Sequence, residues 1–181
     1  MFAKKTILIV FVSCLCMTKC YSQQDDFCNA ITTIVRDAPN KFRNIRGKLI
    51  EANANATLWA SGVTLPGTVG SRFVYAMGLF YEGAVLQTQN KDDLKSVYDK
   101  YKTLLSDCLK PQGYTMAQND NLYPGLSDYK KIVFMPDEKE EVKPDVKDKA
   151  KPVLPPAHIT LETIYSKDLN KYTIVMYIFE H

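Results

Sequence analysis

The stretch "NKDDLKSVYDKYKTLLSDCL", Asn90 to Leu109, is the most regular part of the chain and predicts an amphipathic helix. Its apolar residues recur three and four positions apart, which is the spacing of one helix face. Asn90 is a good N-cap, and the aspartates of the first turn suit the helix dipole. Pro111 and Gly113 end the pattern, so we predict a helix over residues 91–109. The apolar stripe comprises Leu94, Val97, Tyr98, Tyr101, Leu104, Leu105 and Cys108.

A second helix is predicted over residues 25–38. Apolar residues recur at helical spacing from Phe27 to Ala38, and two aspartates occupy the first turn. Pro39 ends or kinks this helix because proline cannot continue the backbone hydrogen bonding. The same spacing continues to Ile45, so a short further helical piece is expected before the next glycine.

The first 22 residues predict an export signal. A short basic region precedes an apolar run that is too short to cross a bilayer as a helix. Cys20 and Ser22 supply the small side chains that place the cut before Gln23. The alternative is lipoprotein processing, in which Cys14 becomes the acylated residue, and it stays open. We expect a secreted or periplasmic protein, with a lipid anchor at Cys14 as the second option.

The charge of the chain argues against nucleic acid as a partner. The full sequence has 23 basic and 20 acidic residues. The predicted signal holds three of the lysines and no acidic residue, so the mature chain has 20 of each. A neutral chain has no general attraction to nucleic acid or to anionic membranes. We predict one domain over residues 23–181, with no nucleic-acid partner and no stable membrane insertion after signal removal.

Two cysteines stay in the mature chain, Cys28 and Cys108. An exported protein folds in an oxidising compartment, so an even pair is expected to form a disulfide. A disulfide holds two α-carbons within about 7 Å. The start of one helix therefore meets the end of the other, which predicts two antiparallel helices on one face of a sheet.

The remaining apolar runs predict an α+β fold with an antiparallel sheet of about five strands, because strands and helices do not alternate regularly. The last run, 172–179, is apolar on both faces and is expected at the centre of the sheet. Residues 137–156 are rich in Lys, Asp, Glu and Pro and predict a mobile loop. The predicted strands are 57–63, 72–81, 131–135, 159–165 and 172–179, with a hairpin turn at 166–170. A break is predicted at Glu82-Gly83, after which 84–88 is a candidate partner strand.

The sequence contains few residues or motifs that indicate a metal site or a catalytic site. The clustered N-terminal cysteines lack the paired spacing of a zinc site, and His158 and His181 are the only histidines. No Gly-x-Ser-x-Gly elbow is present. Glu82 and Glu162 are a candidate acid–base pair, but nothing in the sequence brings them together. We predict a protein that is not an enzyme and that uses no metal and no cofactor.

Two binding hypotheses follow. The first is a binding protein for a protein or peptide partner, which uses a tyrosine-rich sheet face or edge, and the only local basic patch is a further candidate contact surface. The second is a carrier that holds an apolar ligand between the helices and the sheet. The basic patch comprises Lys41, Arg43, Arg46 and Lys48. The predicted cavity comprises Phe73, Tyr75, Met77, Leu94, Tyr98, Tyr101 and Met176.

Several short motifs together resemble uncharacterised small exported proteins of the Bacteroidota. They are the Tyr-Ser-Gln end of the signal, the early helical Cys28, "FRNIRG", Trp59, "LPG" and the "YDKYKTLLSDCL" helix. The resemblance covers most of the mature chain. It implies export, and it implies no activity.

Overall fold

The computed structural model describes residues 24–118, 129–137 and 157–180. The predicted export signal, nearly all of the predicted loop over 137–156, and His181 lie outside these residues. Within them the fold is α+β, as predicted, with two α-helices and one antiparallel sheet.

Helix α1 covers residues 24–37 and continues into a 3₁₀ turn at Ala38–Asn40. Helix α2 covers Lys91–Leu109, so the prediction from its apolar stripe is confirmed. The predicted N-cap is also confirmed, because the Asn90 side chain accepts a hydrogen bond of 2.9 Å from the Asp92 amide. The strands are β1 (Arg46–Ala52), β2 (Thr57–Ser61), β3 (Gly70–Tyr75), β4 (Leu79–Thr88), β5 (Tyr114–Gln118), β6 (Lys131–Pro136), β7 (His158–Ser166) and β8 (Lys171–Phe179).

The sheet has eight strands in the order β1-β2-β3-β4-β8-β7-β6-β5, and every neighbouring pair is antiparallel. The prediction of about five strands is therefore wrong. The main omissions are the two edge strands, β1 and β5, whose residues are mostly exposed and show no apolar alternation. The predicted central position of the last strand is confirmed, since β8 lies between β4 and β7.

The predicted strand over 72–81 is a hairpin. It is divided between β3 and β4, which pair through Tyr75 and Leu79, and the Ala76 amide bonds the Gly78 carbonyl at 3.1 Å in the turn. The predicted break at Glu82-Gly83 is also wrong, because both residues lie inside β4. A single strand was predicted because the apolar residues on either side of this short turn continue one alternating pattern.

The further helical piece predicted after Pro39 is a turn that leads into β1. Lys41 and Phe42 both have left-handed backbone conformations, with φ of 57° and 54°. The buried carboxylate of Asp37 stabilises this turn, because it accepts hydrogen bonds from the Asn44 amide at 3.0 Å and from the Asn40 side chain at 3.2 Å. A buried carboxylate thus accepts hydrogen bonds from the N–H groups of this turn. The apolar spacing of the sequence could not reveal that interaction.

The core lies between the two helices and one face of the sheet. Alternate residues of each central strand point into it, as the pleat of a strand requires. The core cluster includes Phe27, Ile31 and Ile34 of α1, Leu94, Tyr98, Tyr101 and Leu105 of α2, and Phe73, Tyr81, Ile132, Phe134, Ile159, Leu161, Ile174, Met176 and Ile178 of the sheet.

The predicted disulfide between Cys28 and Cys108 is confirmed, with α-carbons 5.1 Å apart. Two side-chain hydrogen bonds lie on either side of it. Gln24 donates to Asp107 at 3.4 Å, and Gln112 donates to Thr32 at 3.0 Å. The helices also contact each other through the rings of Phe27 and Tyr101, whose centres are 5.7 Å apart, and their antiparallel alignment stays a prediction.

Candidate functional site

One face of the sheet carries no helix within the described residues, and its strands place an ordered set of side chains there. Along β8, Ile174 and Met176 belong to the core cluster, whereas Val175, Tyr177 and Phe179 do not. Successive residues of a strand point to opposite faces, so these three lie on the side away from the helices. We call this side the outer face.

Five side chains cross the outer face in one band over five neighbouring strands. Arg72 of β3 lies opposite Glu82 of β4, and Glu82 lies opposite Tyr177 of β8. On β7, Glu162 lies two residues beyond the residue that pairs with Tyr177. Lys131 of β6 lies opposite Glu162. We call Arg72, Glu82, Tyr177, Glu162 and Lys131 the outer-face row.

The charges of the outer-face row are paired, with the cations at its two ends. Arg72 Nη2 is 2.6 Å from Glu82 Oε1, and Lys131 Nζ is 3.5 Å from Glu162 Oε2. The arginine and lysine side chains are 47% and 28% exposed, against 21% and 16% for their glutamates. Tyr129 also donates to Glu162 Oε2, at 3.4 Å. The two carboxylates therefore lie on either side of Tyr177 and are shielded more than the cations outside them.

Three aromatic rings form a compact group beside the row. The Phe80 ring centre is 5.7 Å from that of Tyr177 and 5.3 Å from that of Phe179. The Tyr177 and Phe179 centres are 5.9 Å apart. All three rings are half-buried. Such edge-to-face and tilted contacts stabilise aromatic groups beyond their buried area, so this part of the outer face is apolar and its rings pack against one another.

Tyr177 is the most perturbed of these groups. Burial, and after it the negative charges of Glu162 and Glu82, together raise the pKa of its hydroxyl from 10.0 to about 12, while the positive charge of Arg72 opposes the rise. This is the direction expected for a phenol that is partly removed from water and lies between two carboxylates. The raised pKa of Tyr177 thus reflects mainly its burial and, second, the two carboxylates beside it.

This pKa predicts a difference in alkaline stability between the wild type and Tyr177→Phe. An unfolded tyrosine ionises near its ordinary pKa of 10.0, whereas the folded Tyr177 keeps its proton to about 12. The stabilisation is fully present below pH 10 and is lost as the pH rises toward 12. After allowance for its partial exposure, we expect the wild type to lose about 1 kcal/mol more than Tyr177→Phe between about pH 9 and about pH 11. Urea unfolding of both proteins checks this, and equal losses would contradict the raised pKa.

The structure brings Glu82 and Glu162 to one face, which the sequence could not indicate. Each carboxylate is already engaged by a cation, and the β8 strand separates them. Across the described ranges, 24–118, 129–137 and 157–180, no group of three or more His, Cys, Asp or Glu residues could hold a metal ion. The arrangement is suited to electrostatic recognition by paired charges around an aromatic centre.

The seven residues of the predicted apolar cavity do not line one space. Leu94, Tyr98 and Tyr101 are buried, and so are the remaining core members of the set. Tyr75 is 55% exposed, and Met77 lies fully exposed in the turn after β3. The set is divided because the chain reverses direction between Tyr75 and Leu79. The buried members are Phe73, Leu94, Tyr98, Tyr101 and Met176.

A small cleft of about 220 Å³ lies at the start of α2. Leu94 and Tyr98 line it together with Lys91, Lys95 and Lys130. Its volume is below the several hundred Å³ usual for ligand sites, and its three lysines do not suit an apolar ligand.

The predicted basic patch is spread over a turn and the first strand. Lys41 and Arg43 are exposed in the turn before β1, and Lys48 is exposed on β1. Arg46 instead stacks on Trp59, with its guanidinium carbon 4.5 Å from the ring centre. One of the four charges thus has an intramolecular partner, and cation–π contacts of this kind contribute modestly at exposed sites.

Comparison with known proteins adds no family to this description. Searches against protein-family models, curated proteins and solved structures found no match. Within the part of the chain that the structure describes, no helix is long and apolar enough to span a membrane.

Sequence reasoning named Glu82 and Glu162 but did not bring the members of the outer-face row together. Arg72 and Lys131 were not singled out, and neither were the rings of Phe80 and Phe179. One available signal was the final strand, which is apolar on both faces although both helices pack on one of them. Large residues on the second face of a central strand indicate a surface with a use beyond the helix-packed core.

Proposed function

We propose that this is an exported, disulfide-stabilised binding protein without catalytic activity, and that its outer face binds a protein or peptide partner. The observation that carries this proposal is the outer-face row with its aromatic group. Tyrosine, phenylalanine and arginine are enriched in protein interfaces, and energetic hot spots favour tyrosine and arginine. Here they occupy the central strands of a sheet, where backbone hydrogen bonds on both sides hold them in place.

Export is supported by the disulfide, because bridges of this kind persist in oxidising compartments. The predicted signal over residues 1–22 agrees with this location. Cleavage before Gln23 gives a secreted or periplasmic protein, and acylation at Cys14 gives an anchored one. Labelling with a fatty acid in the expression host separates the two routes.

A binding role is preferred to catalysis because both glutamates of the outer-face row are paired with cations. Paired charges in fixed positions give specificity and orientation to an interface. The apolar-carrier alternative has less support, because five of its seven proposed contact residues pack in the core and the other two are exposed.

The proposal can be tested by selecting peptides from a random display library on protein purified from a periplasmic expression host. We expect selected peptides to lose at least about tenfold in affinity on Tyr177→Ala, since a central aromatic residue is the kind that carries binding energy. The matched control is Tyr165→Ala, which removes another half-exposed tyrosine outside the outer-face row. Peptides that respond to Tyr165→Ala and not to Tyr177→Ala would place binding elsewhere and contradict the proposal.

A further inference from the structure

The two carboxylates of the outer-face row have acceptor capacity that the protein does not use. Arg72 bonds Oε1 of Glu82, while Lys131 and Tyr129 both approach Oε2 of Glu162. Among the described residues, no hydrogen bond reaches Glu82 Oε2 or Glu162 Oε1. An ionised carboxylate accepts about four hydrogen bonds through its two oxygens. A ligand rich in N–H donors would therefore find acceptors on both sides of Tyr177.

The charge distribution favours a cation at the same place. The carboxylates flank Tyr177, and the basic residues Arg72 and Lys131 lie beyond them at the ends of the row. Burial is the main cause of the raised pKa of Tyr177, and the charges of the two glutamates add to it, as their positions on either side of the ring require. A tyrosine ring also attracts cations through its π-face.

We infer that the centre of the outer-face row binds an arginine side chain of the partner, with the guanidinium against Tyr177 and its N–H groups bonded to Glu82 and Glu162. This inference rests on the proposed binding function of the outer face. A guanidinium is planar, presents five donors, stacks on aromatic rings and meets carboxylates in a forked geometry. A lysine ammonium offers fewer donors and no stacking plane, so arginine is the better fit.

The three aromatic rings predict which type of residue lies near this arginine in the partner segment. Phe80 is two residues from Glu82 along β4, and Phe179 is two residues from Tyr177 along β8. Two residues of a strand span about 6.7 Å, which is also the spacing of side chains on one side of an extended peptide. A partner segment with the pattern arginine, any residue, apolar residue would place its guanidinium in the row and its apolar side chain on the rings.

The direct test is an NMR titration of the ¹⁵N-labelled protein with N-acetyl-arginine amide, and with N-acetyl-citrulline amide as the uncharged isostere. We expect shifts of the amides of Glu82, Glu162 and Tyr177 with the arginine probe, and at least about tenfold weaker binding of citrulline. Glu82→Gln and Glu162→Gln should each weaken the arginine probe at least about fivefold. Asp99→Asn removes an exposed carboxylate of α2 and is the matched control, which should change nothing.

The outcomes separate this inference from the function on which it rests. Equal responses to arginine and citrulline, or shifts insensitive to both glutamine variants, would overturn the arginine site. If selected library peptides then still depended on Tyr177, the binding face would stand and only its ligand class would be wrong. Shifts at Tyr177 that depend on protein concentration, without a response to the arginine probe, would identify a second copy of the chain as the occupant and overturn the inference.

Discussion

Removal of the Cys28–Cys108 bridge is expected to lower the free energy of unfolding by about 4 to 5 kcal/mol. The bridge joins residues 80 positions apart, so it removes many conformations from the unfolded chain. The loss is a large share of the 5 to 15 kcal/mol that stabilises a typical domain. For a domain of this size, it corresponds to a fall in Tm of roughly 10 to 20 °C.

The measurement compares wild type, reduced wild type and the double variant Cys28→Ala, Cys108→Ala by thermal and urea unfolding. The reduced wild type is the control for the packing effect of the substitutions, because it loses the bridge and keeps both sulfur atoms. We expect the reduced wild type and the double variant to melt close together, and the double variant to ignore reductant. A reduced protein with verified free thiols and an unchanged Tm would contradict the stabilising role of the bridge.

This disulfide shows which long-range features the sequence can predict. The two helices could be predicted because their signals are local, namely an apolar stripe, an N-cap at Asn90 and helix-ending residues after Leu109. With both helices assigned and only two cysteines in the mature chain, Cys28 and Cys108 had a single pairing. Elimination supplied the contact, and no knowledge of the three-dimensional path was needed.

The parts of the fold that were missed lack such local signals. Strands β1 and β5 are at the edges of the sheet, where exposed residues need no apolar alternation. The turn between β3 and β4 was hidden because apolar residues on both sides of Gly78 continue one pattern. In each case the neighbouring strand, and not the segment's own pattern, determines the structure.

The outer-face row could not be predicted from the sequence for a different reason. Its centre exists because β8 inserts between β4 and β7, which brings Glu82 opposite Tyr177 although more than half the length of the chain separates them. The β7–β8 hairpin could be predicted from its short turn, and so Glu162 near Tyr177 was within reach. Pairing of β8 with β4 has no local signal, since many antiparallel orders satisfy the same alternation.

The second large effect is expected from Phe73→Ala, which should lower the free energy of unfolding by about 3 to 5 kcal/mol. Phe73 is fully buried, and its ring centre lies 5.0 Å from that of Phe42 and 5.5 Å from that of Tyr81. It thereby joins the turn after α1 to strands β3 and β4. Removal of the ring leaves a cavity that rigid β-sheet neighbours cannot close.

Tyr75→Ala is the matched control for Phe73→Ala. It lies two residues along the same strand and was predicted to line the same apolar cavity, yet it is 55% exposed. We expect a loss below about 1 kcal/mol for this variant, as for other exposed positions. Urea unfolding with an unchanged m value gives both differences directly.

The pair of variants also decides between a packed core and a ligand cavity. In a packed core, Phe73→Ala creates a new apolar void that binds a small apolar molecule such as benzene, and the wild type does not. In a carrier, the wild type already holds such a space, so loss of the ring would leave stability nearly unchanged. A loss below about 1 kcal/mol for Phe73→Ala, together with benzene binding to the wild type, would contradict the packing described above and favour the carrier hypothesis over recognition by the outer face.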